Sequence, residues 1–383
     1  MRTAVYTARD RKLANLIWRE GPLSRSDLMN LTGIHRNLVG TSADRLLKLG
    51  LVREASSHTT GPGRPSLPLE INPTNRTVLG LAISPGQVEL ATLSLRGELI
   101  GRVQSSRTAS PKGVVGSAQQ MLLKQLKNES YAVGISVTGL VDLDARKLLF
   151  SSAAPSSRDV SLQPLFDACG TTSLVIDNDQ HALAARWLLT HRADPQEDIV
   201  LVGFGDGRMG ASQLSKGRPS HGCVLSANEL GHTRLPVMTP QCFCGQTGCL
   251  ERICSSEFIH FCDKSSQPTL LELARDRSLA AEVFDRIIQL LGIGFSNIVN
   301  FSRPNRLVLA SPLGRQPAFA QALVREIRLR VLPALAERVR IEWWDESIQT
   351  SAENAAWLAL ASTFYQGWQD GSEYDITRGN ETD

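Results

Sequence analysis

"QCFCGQTGCLE", residues 241–251, places three cysteines within eight positions and follows them at once with a carboxylate. Cys242, Cys244 and Cys249 have C-x-C-x4-C spacing, and Gly245 and Gly248 permit the tight turns that bring thiolates to one point. Soft sulfur donors at this spacing suit a structural Zn²⁺, which takes four ligands in a closed tetrahedron. Buried free thiols, an exposed redox pair and an iron–sulfur ligand set are the other readings of the same residues. Cys169, Cys223, Cys254 and Cys262 have no partner at metal-like spacing and read as small core residues. Seven cysteines, an odd number, argue against a disulfide framework.

The chain of 383 residues is long enough for two or three domains, and 42% hydrophobic with 21% charged residues is ordinary for a soluble globular protein. Its first residues lack an apolar core followed by a small-residue cleavage site, and no apolar run approaches bilayer length. The expectation is a cytoplasmic protein with reduced thiols and no membrane partner. The net charge of +3 is uneven. Residues 1–66 hold 11 Lys and Arg against 5 Asp and Glu, a net of +6, and the remainder holds 30 against 33, a net of −3. A basic head on a slightly acidic body points to a polyanionic partner for the head.

The head, residues 1–72, has helical grammar. "ARDRKLANLIWREG" puts Leu13, Leu16 and Ile17 on one face and stops at Gly21-Pro22. "SRSDLMNLTG" opens on Ser24 as an N-cap and stops at Gly33; "IHRNLVGTSADRLLKLG" follows and ends at Gly50. A leading helix, then two short ones joined by a glycine turn, describe a helix-turn-helix, and "LVREA" with "SLPLEIN" alternates like a two-stranded wing. The third helix is then the reader of double-stranded DNA. His35, Arg36, Asn37, Thr41 and Ser42 would face bases and phosphates, Arg45 and Lys48 the backbone, and Arg64 in "GPGRPS" the minor groove. A helical protein-interaction module with a solvated basic face is the plainer alternative.

From residue 77 the pattern alternates strands and helices. "TVLGLAI", "VELATLSL" and "ELIGRVQ" form hairpins, a helix spans about 113–127, and strands "YAVGISV" and "SLVIDN" lead to a helix at 181–190. "DIVLVGF" and "MGASQLS" open a second series. It continues with a helix at about 277–300, "RLVLAS", a helix at about 317–338, "VRIEWW" and a helix at about 351–366. Hairpins leading into βα units, twice over, predict two related α/β lobes with a cleft between them. The boundaries expected are 73–190 for the first lobe, with helix 351–366 packing on it, and 191–350 for the second.

"VIDNDQHALAARW" (175–187), "VGFGDGRMGA" (202–211), "ANELGH" (227–232) and the cysteine cluster together resemble the ROK family of repressors, open reading frames and sugar kinases. "PLSRSDLMNLTGI" and "LLKLGLVRE" in the head make the chain similar to the family's transcriptional regulators. The resemblance implies a winged helix-turn-helix followed by a two-lobed actin-like, ribonuclease-H-like ATPase fold. It nominates His232 as the fourth zinc ligand, beside Cys242, Cys244 and Cys249. It also implies a sugar site of Asn178, Asp179, Glu229, His232 and Glu251, with Glu229 and Glu251 aimed into the cleft by a zinc-held loop. In the family's kinases the residue matching Asp179 is the general base.

Departures from the family pattern limit that implication. Its first phosphate loop, Asp-x-Gly-x-Thr, is matched by "AISPG", where Ala82, Ser84 and Gly86 replace the three key residues. The second keeps its glycines but carries Arg208 where an apolar residue is usual, and "LASPLG" degrades the third. A sugar-contacting asparagine falls near Ala154, the glycine before Glu229 is Asn228, and a second asparagine becomes His181, which reads as a helix-surface histidine ahead of a polar pocket group. A base without an ATP cradle predicts no catalysis. The expectation is a repressor, homodimeric or a dimer of dimers on a two-fold operator, controlled by a sugar or sugar derivative. A sugar kinase with an added DNA-binding head and a regulator controlled by a protein partner are the rival readings.

Overall fold

Thr7 and Ser24 start the first two helices by the same device. In the computed structural model, Thr7 Oγ1 accepts from the Asp10 N–H while Asp10 accepts from the Thr7 N–H, and Ser24 and Asp27 repeat the exchange. The structure describes residues 6–55, 67–100, 104–107, 110–126, 130–151, 158–194, 196–221, 228–265, 268–345, 350–364 and 373–374. Arg64, the segment around Ala154, Cys223 and most of the C-terminal tail lie outside the described residues.

Helix α1 (Ala8–Glu20), α2 (Arg25–Thr32) and α3 (Arg36–Lys48) follow one another as the caps predict. Gly33 closes α2 in the left-handed conformation. Leu13, Ile17, Leu28, Val39, Ala43 and Leu46 are all but fully buried between them. Strands β1 (Val52–Glu54) and β2 (Leu69–Ile71) pair antiparallel as the wing, and Leu23, between α1 and α2, bridges to Leu69.

The body holds two sheets. The first contains β3 (Thr77–Ser84), β4 (Gln87–Ser94) and β5 (Gln104–Arg107). Helix α4 (Pro111–Gln125), strand β6 (Ser130–Val137), a small sheet of β7 (Leu140–Asp142), β8 (Lys147–Phe150) and β9 (Arg158–Ser161), and α5 (Gln163–Cys169) lead to β10 (Ser173–Asn178) and α6 (Asp179–Thr190). The second sheet begins with β11 (Ile199–Gly205), β12 (Arg208–Ser215) and β13 (Arg218–Pro219). Helices α7 (Leu250–Ile253), α8 (Ser256–Cys262), α9 (Leu270–Arg275) and α10 (Ala281–Ser302) precede β14 (Arg306–Ala310). Then come α11 (Pro317–Arg330), α12 (Pro333–Ala336), β15 (Arg340–Trp344), α13 (Ser351–Phe364) and β16 (Glu373–Tyr374).

The two sheets repeat one topology. The first runs β16-β10-β6-β3-β4-β5 and the second β13-β12-β11-β14-β15. In each, an antiparallel hairpin (β3–β4, β11–β12) is extended on one side by two parallel strands (β6 and β10, β14 and β15). This is the doubled α/β arrangement expected from the strand pattern.

Helix α13 lies on the first sheet because both surfaces are shaved. A Cβ on Gly80 would stand 2.0 Å from the Ala352 carbonyl oxygen, and one on Gly134 2.0 Å from that of Ala355. Alanines on the helix complete the close approach. Helix α6 is wedged between α13 and the second sheet, and its Ala182, Ala184, Ala185, Trp187 and Leu188 are buried on every side. One continuous core therefore runs from Leu13 and Leu46 in the head through α13 and α6 to Leu201 and Val308.

Three elements differ from the sequence expectation. The helix expected over 317–338 breaks after Arg330, since Pro333 lacks an N–H and holds Leu332 out of helical geometry (φ −51°, ψ 134°). The strand expected over 98–104 bridges to β4 at Leu99, opposite Leu93, and the regular pairing with β4 falls at Gln104–Arg107, past its expected end. The tail, expected to be loose, supplies Glu373–Tyr374 as an edge strand on β10. Among the described residues no helix is long and apolar enough to cross a membrane.

Candidate functional site

Cys249 caps α7, and a 3₁₀ turn at Leu230–His232 lies beside it through the Arg234–Cys249 bridge. These two turns bring the thiols and one imidazole together. The ligand atoms of His232, Cys242, Cys244 and Cys249 lie within 4.8 Å of one another. Cys244 Sγ stands 3.6 Å from Cys249 Sγ, and Cys242 Sγ 3.5 Å from His232 Nδ1. Thiolates sharing a zinc at ~2.3 Å in a tetrahedron would be about 3.8 Å apart, so the donor set fits a closed Cys₃His cage. Burial pushes the Cys249 thiol up to about 11. Burial and the neighbouring Glu251 raise Cys242 further. A cation at the centre would hold both as thiolates.

Glu251 departs from the expected aim into the cleft. It is buried, accepts from the Cys242 thiol at 2.9 Å, and its other close neighbour is His232 Nδ1 at 3.5 Å. Its position two residues after Cys249 in α7 turns the carboxylate back over the cage. Glu229 is half exposed and reaches His232 Nε2 at 3.8 Å. Asn228 spends its side chain on the Gln213 N–H, which fixes the edge of β12 just before Glu229.

Asn178 and Asp179 sit where β10 ends and α6 begins. Asn178 caps the helix by accepting from the Gln180 N–H, and its amide donates to the Gly139 carbonyl, so its polar groups serve the turn. Asp179 accepts from Thr138 Oγ1 at 3.0 Å. Burial raises its pKa, against the opposing pull of the Thr138 hydrogen bond and the Arg208 guanidinium. The two groups of candidate sugar ligands flank the start of β12. Arg208 acts on Asp179 there, and a Cβ on Gly231 would meet the Met209 carbonyl. His181 is fully buried against Asp177, one turn into a helix closed on both sides, and so is no surface histidine.

The segments matching the first two phosphate loops are closed hairpin turns. Ser84 pairs with Gln87 around Pro85-Gly86, and Gly205 pairs with Arg208 around Asp206-Gly207. The first turn lines a cavity of about 20 Å³ with Val114, Leu148 and Leu162, room for about one water. The second is pinned, because Asp206 accepts from the Ser256 N–H and Oγ, and Gly207 N–H donates to Cys254. Gly203 and Gly210 make room for Gln180, whose side chain lies within 2.5 Å of where their Cβ atoms would be.

On the head, His35, Arg36, Asn37 and Thr41 are exposed along the first turns of α3. The His35 ring accepts from the Asn37 N–H. Ser42 is buried and Arg45 is turned inward, which corrects both expectations. Arg45 pairs with the buried Asp10 at 2.7 Å, and Ser42 also bonds that carboxylate. Position 42 falls on the same stripe as Val39 and Leu46, so helical periodicity held this signal. Leu38, exposed beside Asn37, is an apolar contact candidate that polarity alone did not nominate.

A three-helix head with a two-stranded wing, a doubled α/β body and a His/Cys cluster beside Glu229 and Glu251 define a head joined to two related lobes. The model of the ROK family matches residues 78–362, and the chain belongs to that family. It is similar to the xylose repressor of Bacillus spizizenii, at 23% identity over 87% of this chain and 90% of that protein. The DNA-binding transcriptional repressor Mlc of Escherichia coli is 24% identical over 89% and 90%. A glucokinase of Halalkalibacterium halodurans is 21% identical over 81% of this chain and all of its own length. The crystal structure of a ROK family transcriptional regulator, a homologue of the E. coli MLC protein, superposes with a TM-score of 0.76. It covers 94% of this chain and 96% of its own at 20% identity, and the shared fold is the two-lobed actin-like one.

Proposed function

We propose that this protein is a DNA-binding transcriptional regulator, a repressor, whose kinase-like cleft binds a sugar or sugar derivative without phosphorylating it. The observation that carries the reading is the junction of head and body. The exposed face of α3 belongs to a head whose α1 is packed on α13 and on the last turn of α6, the helix that starts at Asp179. Relatives named as repressors support the same reading.

Asp179 and Glu229 accept from sugar hydroxyls, and His232 with Glu251 holds the loop on which Glu229 stands. Zn²⁺ bound by His232, Cys242, Cys244 and Cys249 supplies that loop with rigidity and no chemistry. Closure on the ligand tilts α6 and α13, and α1 moves with them. In a homodimer or a dimer of dimers this changes the spacing of recognition helices on half-sites, about 34 Å or a multiple apart. The working division is head 1–72, first lobe 73–190 with α13, and second lobe 191–350.

Thermal-shift screening of sugars and sugar phosphates, followed by operator binding with each hit, tests the reading. A hit that changes operator affinity supports it; a chain that no sugar stabilises argues for control by another partner.

The kinase reading has one observation in its favour: burial raises Asp179 toward the range of a useful base. Arg208 beside it and the two closed hairpin turns weigh against turnover. ATP, Mg²⁺ and a hexose panel in a coupled assay separate the two.

A further inference from the structure

Three side chains outside the cysteine cage converge from two stretches of chain. Asp177 comes from the end of β10, His181 from the first turns of α6, and His221 from two residues past β13. Asp177 Oδ1 is 2.6 Å from His181 Nδ1, and Asp177 Oδ2 is 3.2 Å from His221 Nε2. Asp177 and His181 are fully buried, and the His221 side chain is 13% exposed. Among the described residues no lysine or arginine reaches Asp177; its other contact is the Asn178 N–H.

We propose that Asp177, His181 and His221 form a second metal site, for a divalent first-row transition ion, distinct from the Cys₃His cage. Two imidazoles and one carboxylate are borderline donors of the kind that select zinc, iron, cobalt or nickel over magnesium or calcium. One ligand atom from each of the three lies within 4.8 Å of the other two. The rings are perpendicular, with centroids 4.8 Å apart. Imidazoles sharing one ion at ~2.1 Å have ring centres about 5 Å apart. A small shift of His221, which lies two residues past the two-residue strand β13, opens the hydrogen-bonded cluster enough to admit an ion.

Three protein ligands leave coordination open, unlike the closed cage. The site begins two residues before Asp179, so the open positions adjoin the proposed sugar cleft. A hydroxyl or carboxylate of the effector would then complete the shell, and binding of effector and metal would be mutually reinforcing. The metal inference itself does not depend on the sugar reading, because its test needs no sugar.

The test is metal content of the purified full-length protein after equilibration with Zn²⁺ and dialysis, with a parallel Co²⁺ preparation. Two equivalents per chain are expected in the wild type. His221→Ala and His181→Asn should each bind one, with the cobalt–thiolate absorption of the cage unchanged. Cys242→Ser/Cys244→Ser should also keep one equivalent but lose that absorption. One equivalent in the wild type, or two retained in either folded histidine variant, overturns the proposal. His181→Asn keeps a polar side chain of similar reach, so a folding failure of His221→Ala leaves the question decidable.

Discussion

The indole N–H of Trp18 in the head donates to the carbonyl of Leu189, 3.4 Å away in the last turn of α6. The same helix begins at Asp179, so one rigid element of 12 residues joins the candidate ligand site to the DNA-reading head. Trp18 also stacks on Phe364 at 5.1 Å and meets Trp357 edge-on at 6.1 Å. Tyr6 adds a hydrogen bond to the Thr363 carbonyl at 2.5 Å. Each contact ties α1 to the pair of helices lying between the lobes.

Trp18→Ala should therefore uncouple the two ends. The effector would still raise the melting temperature of the body, but its effect on operator affinity should fall below about twofold, against the roughly 5–150-fold typical of allosteric coupling. The substitution should also cost about 3 kcal/mol of stability, at the low end for a tryptophan because Trp18 is only partly buried. Operator titrations with and without effector, beside thermal melts, measure both. Coupling that survives intact in Trp18→Ala would mean that the signal takes another route.

The two arginines of α3 should separate cleanly. Arg36 is exposed, and Arg36→Ala is expected to weaken operator binding by about 1–3 kcal/mol and flatten its salt dependence by about one ion. Arg45→Ala should instead unfold the head by up to about 3 kcal/mol, because it strands a buried carboxylate. Salt-dependent binding isotherms and chemical denaturation distinguish the two effects.

Asp10 gives the head an acid limit. Burial alone would raise its pKa, but hydrogen bonds from Thr7, Ser42 and Arg45 outweigh burial and hold it below the ordinary 3.8. A folded pKa below the unfolded one contributes stability that is complete above about 3.8 and is lost as pH falls through the folded value. Denaturation of the wild type and of Asp10→Asn between pH 2 and pH 6 should converge at the acid end. Parallel curves over that range would remove Asp10 from the account.

Zinc held by His232, Cys242, Cys244 and Cys249, as proposed, predicts a graded series. Cys242→Ser/Cys244→Ser should abolish the cobalt–thiolate band and lower the melting temperature. Glu251→Gln should keep the band and weaken zinc about 10–100-fold, since Glu251 stands against Cys242 and His232 as an outer partner. Chelator competition reads that difference. Unchanged affinity in Glu251→Gln would return this carboxylate to the cleft.

The sequence made the caps, the hairpins and the cysteine cage legible because each is a local pattern with a short-range cause. Asn178, Asp179, Glu229 and His232 sit in short motifs, so sequence alone could nominate them, and the sugar titrations test whether they bind. What it hid was direction. Glu251 points to the cage because α7 is capped at Cys249, a matter of helical phase that spacing does not convey. His181 is buried because α6 is covered on two sides by different lobes, and His221 meets it from 40 residues away. Even so, the run "ALAARWLL" inside α6, apolar except for Arg186, already announced a helix with little solvent face. Ser42 could likewise have been read as internal from its place between Val39 and Leu46.

Loss of phosphoryl transfer is the remaining expectation, and two features of the geometry bear on it. Transfer needs a cradle for the ATP phosphates and a base free to take the sugar proton. The Pro85-Gly86 turn faces a cavity of about 20 Å³, and Asp206 in the matching turn of the second lobe is held by Ser256. Asp179, for its part, lies under the field of Arg208. Removing one obstacle should therefore not restore activity. Arg208→Ala is expected to raise the pKa of Asp179 further and still yield no sugar phosphate from ATP, Mg²⁺ and a hexose panel. Wild-type turnover that disappears in Asp179→Asn would overturn the binding-only reading and make this cleft an active site.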